Sequence, residues 1–249
     1  MNTGTIRQVL LITDGCSNQG EDPIQVSSMI SQKGIAVNVV GVLDDEQTEE
    51  PEGLSEVNEI AKAGNGISRI VYADVLSETV QTVTRQAMSQ TIQGFVSKEL
   101  KEIFGKETKE EDLPPETRGE VQRVVEDLGE SVDLQVLMLV DTSASMQHKM
   151  EAVKDAIDDF ILSLQARTGN HYYSIYQFPA RNQVVKELLP WTNDGKRVAK
   201  VFPKLAAGGI TPTGAALKQV VRAFQDVPAL EEWSEESDDI IDSSHGSSF

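Results

Sequence analysis

Apolar positions along this chain recur in two rhythms. Short runs at 7–13, 35–43, 67–72, 134–140, 172–178 and 184–189 are apolar and rich in β-branched or aromatic residues, which predicts strands, the strongest of them buried on both faces. Between them, apolar residues return every three or four positions, the spacing of a helix face. Asp22 followed by Pro23 predicts an N-cap and first turn, with Gly34 as the stop, for a helix over 23–33. Leu54, Val57, Ile60 and Ala61 predict a second helix that stops near Gly64. Val80, Val83, Ala87 and Thr91 mark the inner face of a long helix that starts near Ser77 and runs towards Phe104. Val121, Val124, Val125 and Leu128 predict a short helix ended by Gly129. Val153, Ala156, Ile157, Phe160, Ile161 and Leu164 form the clearest amphipathic stripe in the chain. Two further helices are expected near 195–205 and 213–225. Six strands separated mostly by helices predict an α/β, doubly wound, Rossmann-like fold with a mostly parallel sheet.

Charge divides the chain further. Residues 98–117 are dense in Lys and Glu and lead into Pro114-Pro115, which predicts an exposed connector. From Asp226 to Asp242 there are eight acidic residues and no basic one, so a disordered acidic tail is expected over 227–249. The expected organisation is one domain over 1–226, with 5–97 and 133–226 as its two halves and a charged, partly helical connector at 98–132. The net charge of −18 would repel nucleic acid and anionic lipid, and favours cations and basic protein surfaces. No apolar run approaches the ~18 residues that span a bilayer. The stretch Val9-Leu10-Leu11-Ile12 is too short for a signal-peptide core, and the single cysteine, Cys16, permits no internal disulfide. A cytoplasmic setting is expected.

Candidate chemistry begins where the run 134–140 ends. Asp141-Thr142-Ser143-Ala144-Ser145 places one carboxylate and two hydroxyls at alternate positions of a loop leaving a strand. Those are hard oxygen donors, suited to Mg²⁺ or Mn²⁺ and poor for zinc. At the carboxyl edge of an open α/β sheet, this is where ligands bind. Asp and Ser after a strand are also common helix N-caps, so the loop alone leaves both readings open. Two other segments bear on it. Gly208-Gly209-Ile210-Thr211-Pro212-Thr213-Gly214 sets a hydroxyl in a tight loop before a helix, and Thr13-Asp14-Gly15 sets a second carboxylate at another strand end.

Together these three segments resemble the metal ion-dependent adhesion site of the von Willebrand factor A family. The site there comprises an Asp-x-Ser-x-Ser loop, a threonine loop and a Thr-Asp-Gly loop. The resemblance implies metal-ligand roles for Asp141, Ser143, Ser145, Thr211 and Asp14, some of them through water, with Mg²⁺ or Mn²⁺ as the cofactor. Ala144 stands where many relatives have glycine. The likeness extends over nearly all of 5–226 and implies a non-enzymatic module that binds a protein partner through the partner's Asp or Glu carboxylate. In the family, however, the Asp-x-Ser-x-Ser strand comes first and the Thr-Asp-Gly strand last. Reading 133–226 and then 5–97 restores that order, so the resemblance implies a circularly permuted chain in which the strand over 134–140 pairs with that over 7–13. Either one chain closes the site, as a monomer, or two chains exchange halves in a domain-swapped dimer.

The alternative function is metal-assisted phosphoryl transfer or hydrolysis, which needs a base or nucleophile beside the metal. Of His148, His171 and His245, only His148 lies near the motif; Cys16 follows Asp14-Gly15 without an evident histidine partner. No Walker-type glycine loop is present. The acidic tail offers a further reading: it masks the site in cis, or Trp233, Ile240 and Ile241 form a short docking motif, or it serves only solubility. Tyr172, Tyr173 and Tyr176 are core residues by default, and Trp191 is expected to pack at a strand end.

Overall fold

The computed structural model describes residues 4–15, 17–43, 51–104, 115–201 and 209–227. Cys16, Gly208, the middle of the connector at 105–114 and the tail from 228 onward lie outside the described residues, as does the side chain of Leu54. The expectations for the tail, including Trp233, Ile240 and Ile241, fall there too.

Among the described residues six strands and six α-helices follow one another in the order β1 (Thr5–Thr13), α1 (Pro23–Ser31), β2 (Ile35–Leu43), α2 (Pro51–Ala63), β3 (Ser68–Tyr72), α3 (Leu76–Phe104), α4 (Pro115–Ser131), β4 (Asp133–Asp141), α5 (Met150–Gln165), β5 (His171–Phe178), β6 (Lys186–Thr192) and α6 (Thr213–Val220). They form one sheet in the order β3-β2-β1-β4-β5-β6. All neighbours run parallel except β5 and β6. The expected pairing of the two strongest apolar runs is present: β1 lies directly on β4, with Leu10 opposite Met138 and Ile12 opposite Val140. A six-stranded, mostly parallel α/β sheet is therefore the observed fold.

Burial explains why these two runs lack alternation. Leu10 and Ile12 face a core shared with α3 and α5, whereas Val9 and Leu11 face a second core shared with α1, α2 and α6. A central strand with helices on both sides must be apolar on both faces, and covering both is the main source of stability in such a sheet.

Some elements depart from expectation. The inner row of α3 passes through Leu76, Val80, Val83, Ala87, Met88 and Ile92, and Thr91 is exposed. The 3.6-residue period carries the row past Thr91 to its neighbour. On α4, Val124 is exposed and the helix continues past Gly129 to Ser131, because Val125 and Leu128 suffice to seat it on the core. Strand β6 starts later than expected and extends to Thr192, so Trp191 lies within it. Its indole donates to Ala223 O at 2.7 Å and its ring meets Phe224 at 5.1 Å. Of the helix expected near 195–205, residues 202–205 lie outside the described residues and the described part is a 3-10 segment over Gly195–Lys200; α6 passes into 3-10 turns over Val221–Gln225.

Candidate metal centre

Parallel pairing of β1 with β4 brings two loop starts together, since both strands end at the same edge of the sheet. Asp141 is the last residue of β4 and is fully buried. Its Oδ2 accepts from the Thr13 hydroxyl at 2.7 Å, and its Oδ1 accepts from Ser143 N–H at 2.8 Å. The next turn brings Ser143 Oγ within 3.1 Å of Ser145 Oγ, so the two hydroxyls of the motif converge. Ser143 is buried while Ser145 is exposed, which leaves the cluster open to solvent on one side.

Asp14 follows Thr13 directly, and its Oδ2 accepts from Lys149 Nζ at 3.3 Å. Burial pushes the Asp141 carboxyl up to about 6, against the pull of hydrogen bonds from Ser143 and Thr13 that favour the charged form; the negative charge of Asp14 adds to the rise. The two carboxylates thus feel each other.

Thr211 reaches the same edge through backbone. Asn18 N–H donates to Thr211 O at 3.2 Å, and Thr211 N–H donates to Asn18 Oδ1 at 2.9 Å, a reciprocal pair joining the threonine loop to the Asp14 loop. On the other side, a Cβ on Gly209 would stand 3.0 Å from Pro179 Cγ. The Pro179 carbonyl accepts from Thr142 Oγ1 at 3.2 Å, next to Asp141. Gly209 has φ +101°, a conformation that favours glycine. Thr211 is buried. The Thr213 hydroxyl is also buried and, among the described residues, unpaired. Ile210, between the loop's glycine and its threonine, is 52% exposed.

All five residues singled out in the sequence therefore belong to one corner of the fold. Asp141, Ser143 and Ser145 form one hydrogen-bonded group, Asp14 couples to it electrostatically, and Thr211 is held beside it by Asn18. The donor chemistry fits a hard cation: two carboxylates, converging hydroxyls and an unpaired buried hydroxyl. Among the described residues no group of three or more His, Cys, Asp or Glu gathers that could hold a metal ion, so hydroxyls would have to supply part of the donor set.

Four participants escaped sequence reasoning. Thr13 acts through its hydroxyl rather than as a spacer before Asp14. Lys149 is buried although it resembles any helix-start lysine. Asn18 and Glu56 act on backbone: Glu56 Oε2 accepts from Ser17 N–H at 2.5 Å, and burial raises its carboxyl above the usual range. Only Thr13, one residue from a named motif, carried a signal that could have found it. As for the enzyme alternative, His148 is exposed and His171 starts β5, at the opposite edge of the sheet.

Comparison with known proteins bears on the family and the fold. Two family models described as von Willebrand factor type A domain match, one over residues 136–238 and one over residues 1–70. The chain is 49% identical over 227 residues to "Uncharacterized protein YabS" of Bacillus subtilis (strain 168), covering 91% of this chain and 92% of that protein. The crystal structure of an uncharacterized protein from Alicyclobacillus acidocaldarius subsp. acidocaldarius DSM 446 superposes with a TM-score of 0.81 at 37% identity, covering 89% of this chain and 94% of that one.

Proposed function

The chain belongs to the von Willebrand factor type A family, in its YabS-type form, and from that premise we propose that it is a divalent-cation-dependent module that binds a carboxylate of a protein partner. Domains of this family are generally protein-interaction modules and mostly non-enzymatic. The observation that carries the finer reading is the placement of Asp141: a fully buried carboxylate between a converging hydroxyl pair and a second carboxylate, at an edge left open by Ser145 and Ile210. Asp141, Ser143 and Ser145 would hold Mg²⁺ or Mn²⁺, with Thr211 and Asp14 completing the set. The bound cation would supply a positive charge that accepts an Asp or Glu oxygen from the partner. Exposed Ile210 would rest against the partner beside that carboxylate.

We further read the chain order as a circular permutation. Residues 133–226 would represent the first half of the ordinary family order and residues 5–97 the second. The two separate family matches, one in each half, support it. Among the described residues no helix is long and apolar enough to cross a membrane.

The test is thermal unfolding with EDTA and with excess Mg²⁺ or Mn²⁺. A ligand at a hundred times its Kd stabilises the folded state by about 2.7 kcal/mol. That shift is expected for the wild type and not for Asp141→Ala or Asp14→Ala. A wild type indifferent to both cations would remove the mechanism.

A further inference from the structure

Among the described residues Lys149 is the one lysine or arginine that is buried, and its ammonium pairs with Asp14, a residue of the proposed cation site. The side chains of Lys149 and Asp14 are 8% and 12% exposed, so their attraction is poorly screened by solvent. The position follows from local structure. A 3-10 segment, Ala144–Lys149, leaves the Asp-x-Ser-x-Ser loop and delivers Lys149 to the start of α5, from which its side chain reaches Asp14 across 135 positions of sequence.

Resting on the cation-site reading above, we propose that Lys149 is a built-in counter-ion that competes with the divalent cation for Asp14 and thereby makes cation binding and partner binding depend on one another. The charge balance gives the reason. Two carboxylates, Asp14 and Asp141, against one ammonium leave the metal-free corner with a net charge of −1. A divalent cation turns that to +1, and a partner's carboxylate brings it to 0. Neither charged arrangement is as favourable as the neutral one where solvent is largely excluded. Lys149 therefore weakens the cation when it binds alone and strengthens it when an anion arrives with it. By reciprocity, the cation favours the anion by the same factor. Without Lys149 the corner would be neutral with the cation alone, and an incoming carboxylate would bring it to −1.

The experiment measures Mn²⁺ affinity by electron paramagnetic resonance and Mg²⁺ affinity by calorimetry, on the full chain, for the wild type, Lys149→Met, Lys149→Gln and Asp141→Ala. Each is measured with and without acetate as the carboxylate probe. Coupling between neighbouring sites is commonly of the order of 5–150-fold. Both Lys149 variants are expected to bind the cations at least about fivefold more tightly than the wild type. Acetate is expected to tighten the cation in the wild type and to do so less in the variants. Two substitutions of different shape guard against a local packing defect, which would weaken binding instead. If the wild type binds and Asp141→Ala does not, but both Lys149 variants bind no more tightly than the wild type, the counter-ion role is wrong and the cation site stands. If neither the wild type nor the variants bind either cation, the site itself is wrong and the counter-ion role falls with it.

Discussion

The hydroxyl of Thr13 donates to Asp141 Oδ2 at 2.7 Å, joining residues 128 positions apart through adjacent ends of β1 and β4. Both groups are buried, so neither is satisfied by water if the other is lost. Thr13→Val keeps the shape and removes the donor. It is expected to cost about 1–3 kcal/mol, the usual penalty for a buried group left unpaired. Urea unfolding with EDTA present measures this; an unchanged midpoint would mean that the Asp141 carboxylate does not depend on Thr13.

Asn18 binds no proposed ligand atom, yet it holds Thr211 by two hydrogen bonds. Groups that orient metal ligands typically matter 10–100-fold in affinity. Asn18→Ala is expected to weaken Mg²⁺ and Mn²⁺ by about tenfold, since the Thr211 N–H loses its acceptor while the backbone contact remains. Calorimetry checks this, with circular dichroism to confirm an intact fold.

The legible and illegible parts of this chain divide on a physical line. Elements set by local pattern were visible: the doubly buried runs of β1 and β4, Asp22 as the cap whose Oδ1 accepts from Ile24 N–H at 2.9 Å, and Gly34 at φ +74° as the stop of α1. The five candidate ligands were visible because each sits in a short motif. Lys149, Asn18 and Glu56 were not, because each acts on a partner brought near only by tertiary structure. No local pattern distinguishes a lysine that will be buried against Asp14 from one on the surface. The misplacement of Thr91 and Val124 has a different origin: a helical repeat gives the spacing of the buried row but not its phase over many turns.

Gly214 opens α6 against the backbone of the Asp14 loop. A Cβ there would lie 1.9 Å from Glu21 O and 2.7 Å from its carbonyl carbon, and backbone cannot move aside as a side chain can. Gly214→Ala is expected to destabilise by about 1–3 kcal/mol, as overpacking does, and to weaken cation binding by displacing Thr211. Thermal unfolding with EDTA and with Mg²⁺ separates the two effects. Unaltered stability would show that α6 can shift away without cost.

His171 supplies a pH dependence away from the site. Burial lowers its imidazole pKa, and the nearby Arg167 charge acts in the same direction, against a raising contribution from the Gly169 backbone. A histidine depressed in the folded state binds its proton more readily when unfolded. Its contribution is therefore neutral above the unfolded pKa of about 6.5 and destabilising as pH falls below it. His171→Gln is expected to lose less stability than the wild type between pH 7.5 and pH 5.5, as measured by unfolding midpoints in EDTA. Parallel losses in the two proteins would show that His171 titrates alike in both states.

The proposed circular permutation makes the strongest demand on the fold as a whole. If 133–226 and 5–97 are the two halves of an ordinary family domain, a chain re-ordered as 133–226, a short flexible linker, then 5–97 retains every strand pairing, because β1 and β4 already lie side by side and neither termination cuts an element of the central sheet. The linker replaces a surface connection, and closing a loop grows only slowly more costly with its length. The re-ordered protein omits all of α4 and the end of α3, so Val125 and Leu128 are lost from the core and some stability goes with them. Its cation response is a separate matter, since Asp141, Ser143, Ser145, Thr211 and Asp14 are all kept. A soluble re-ordered protein whose unfolding temperature rises with Mn²⁺, and no longer does so with Asp14→Ala, is the expected result. Light scattering on both orders completes the test. Monomers with an intact cation response mean that a single chain closes the site, whereas a response confined to dimers means that two chains exchange halves.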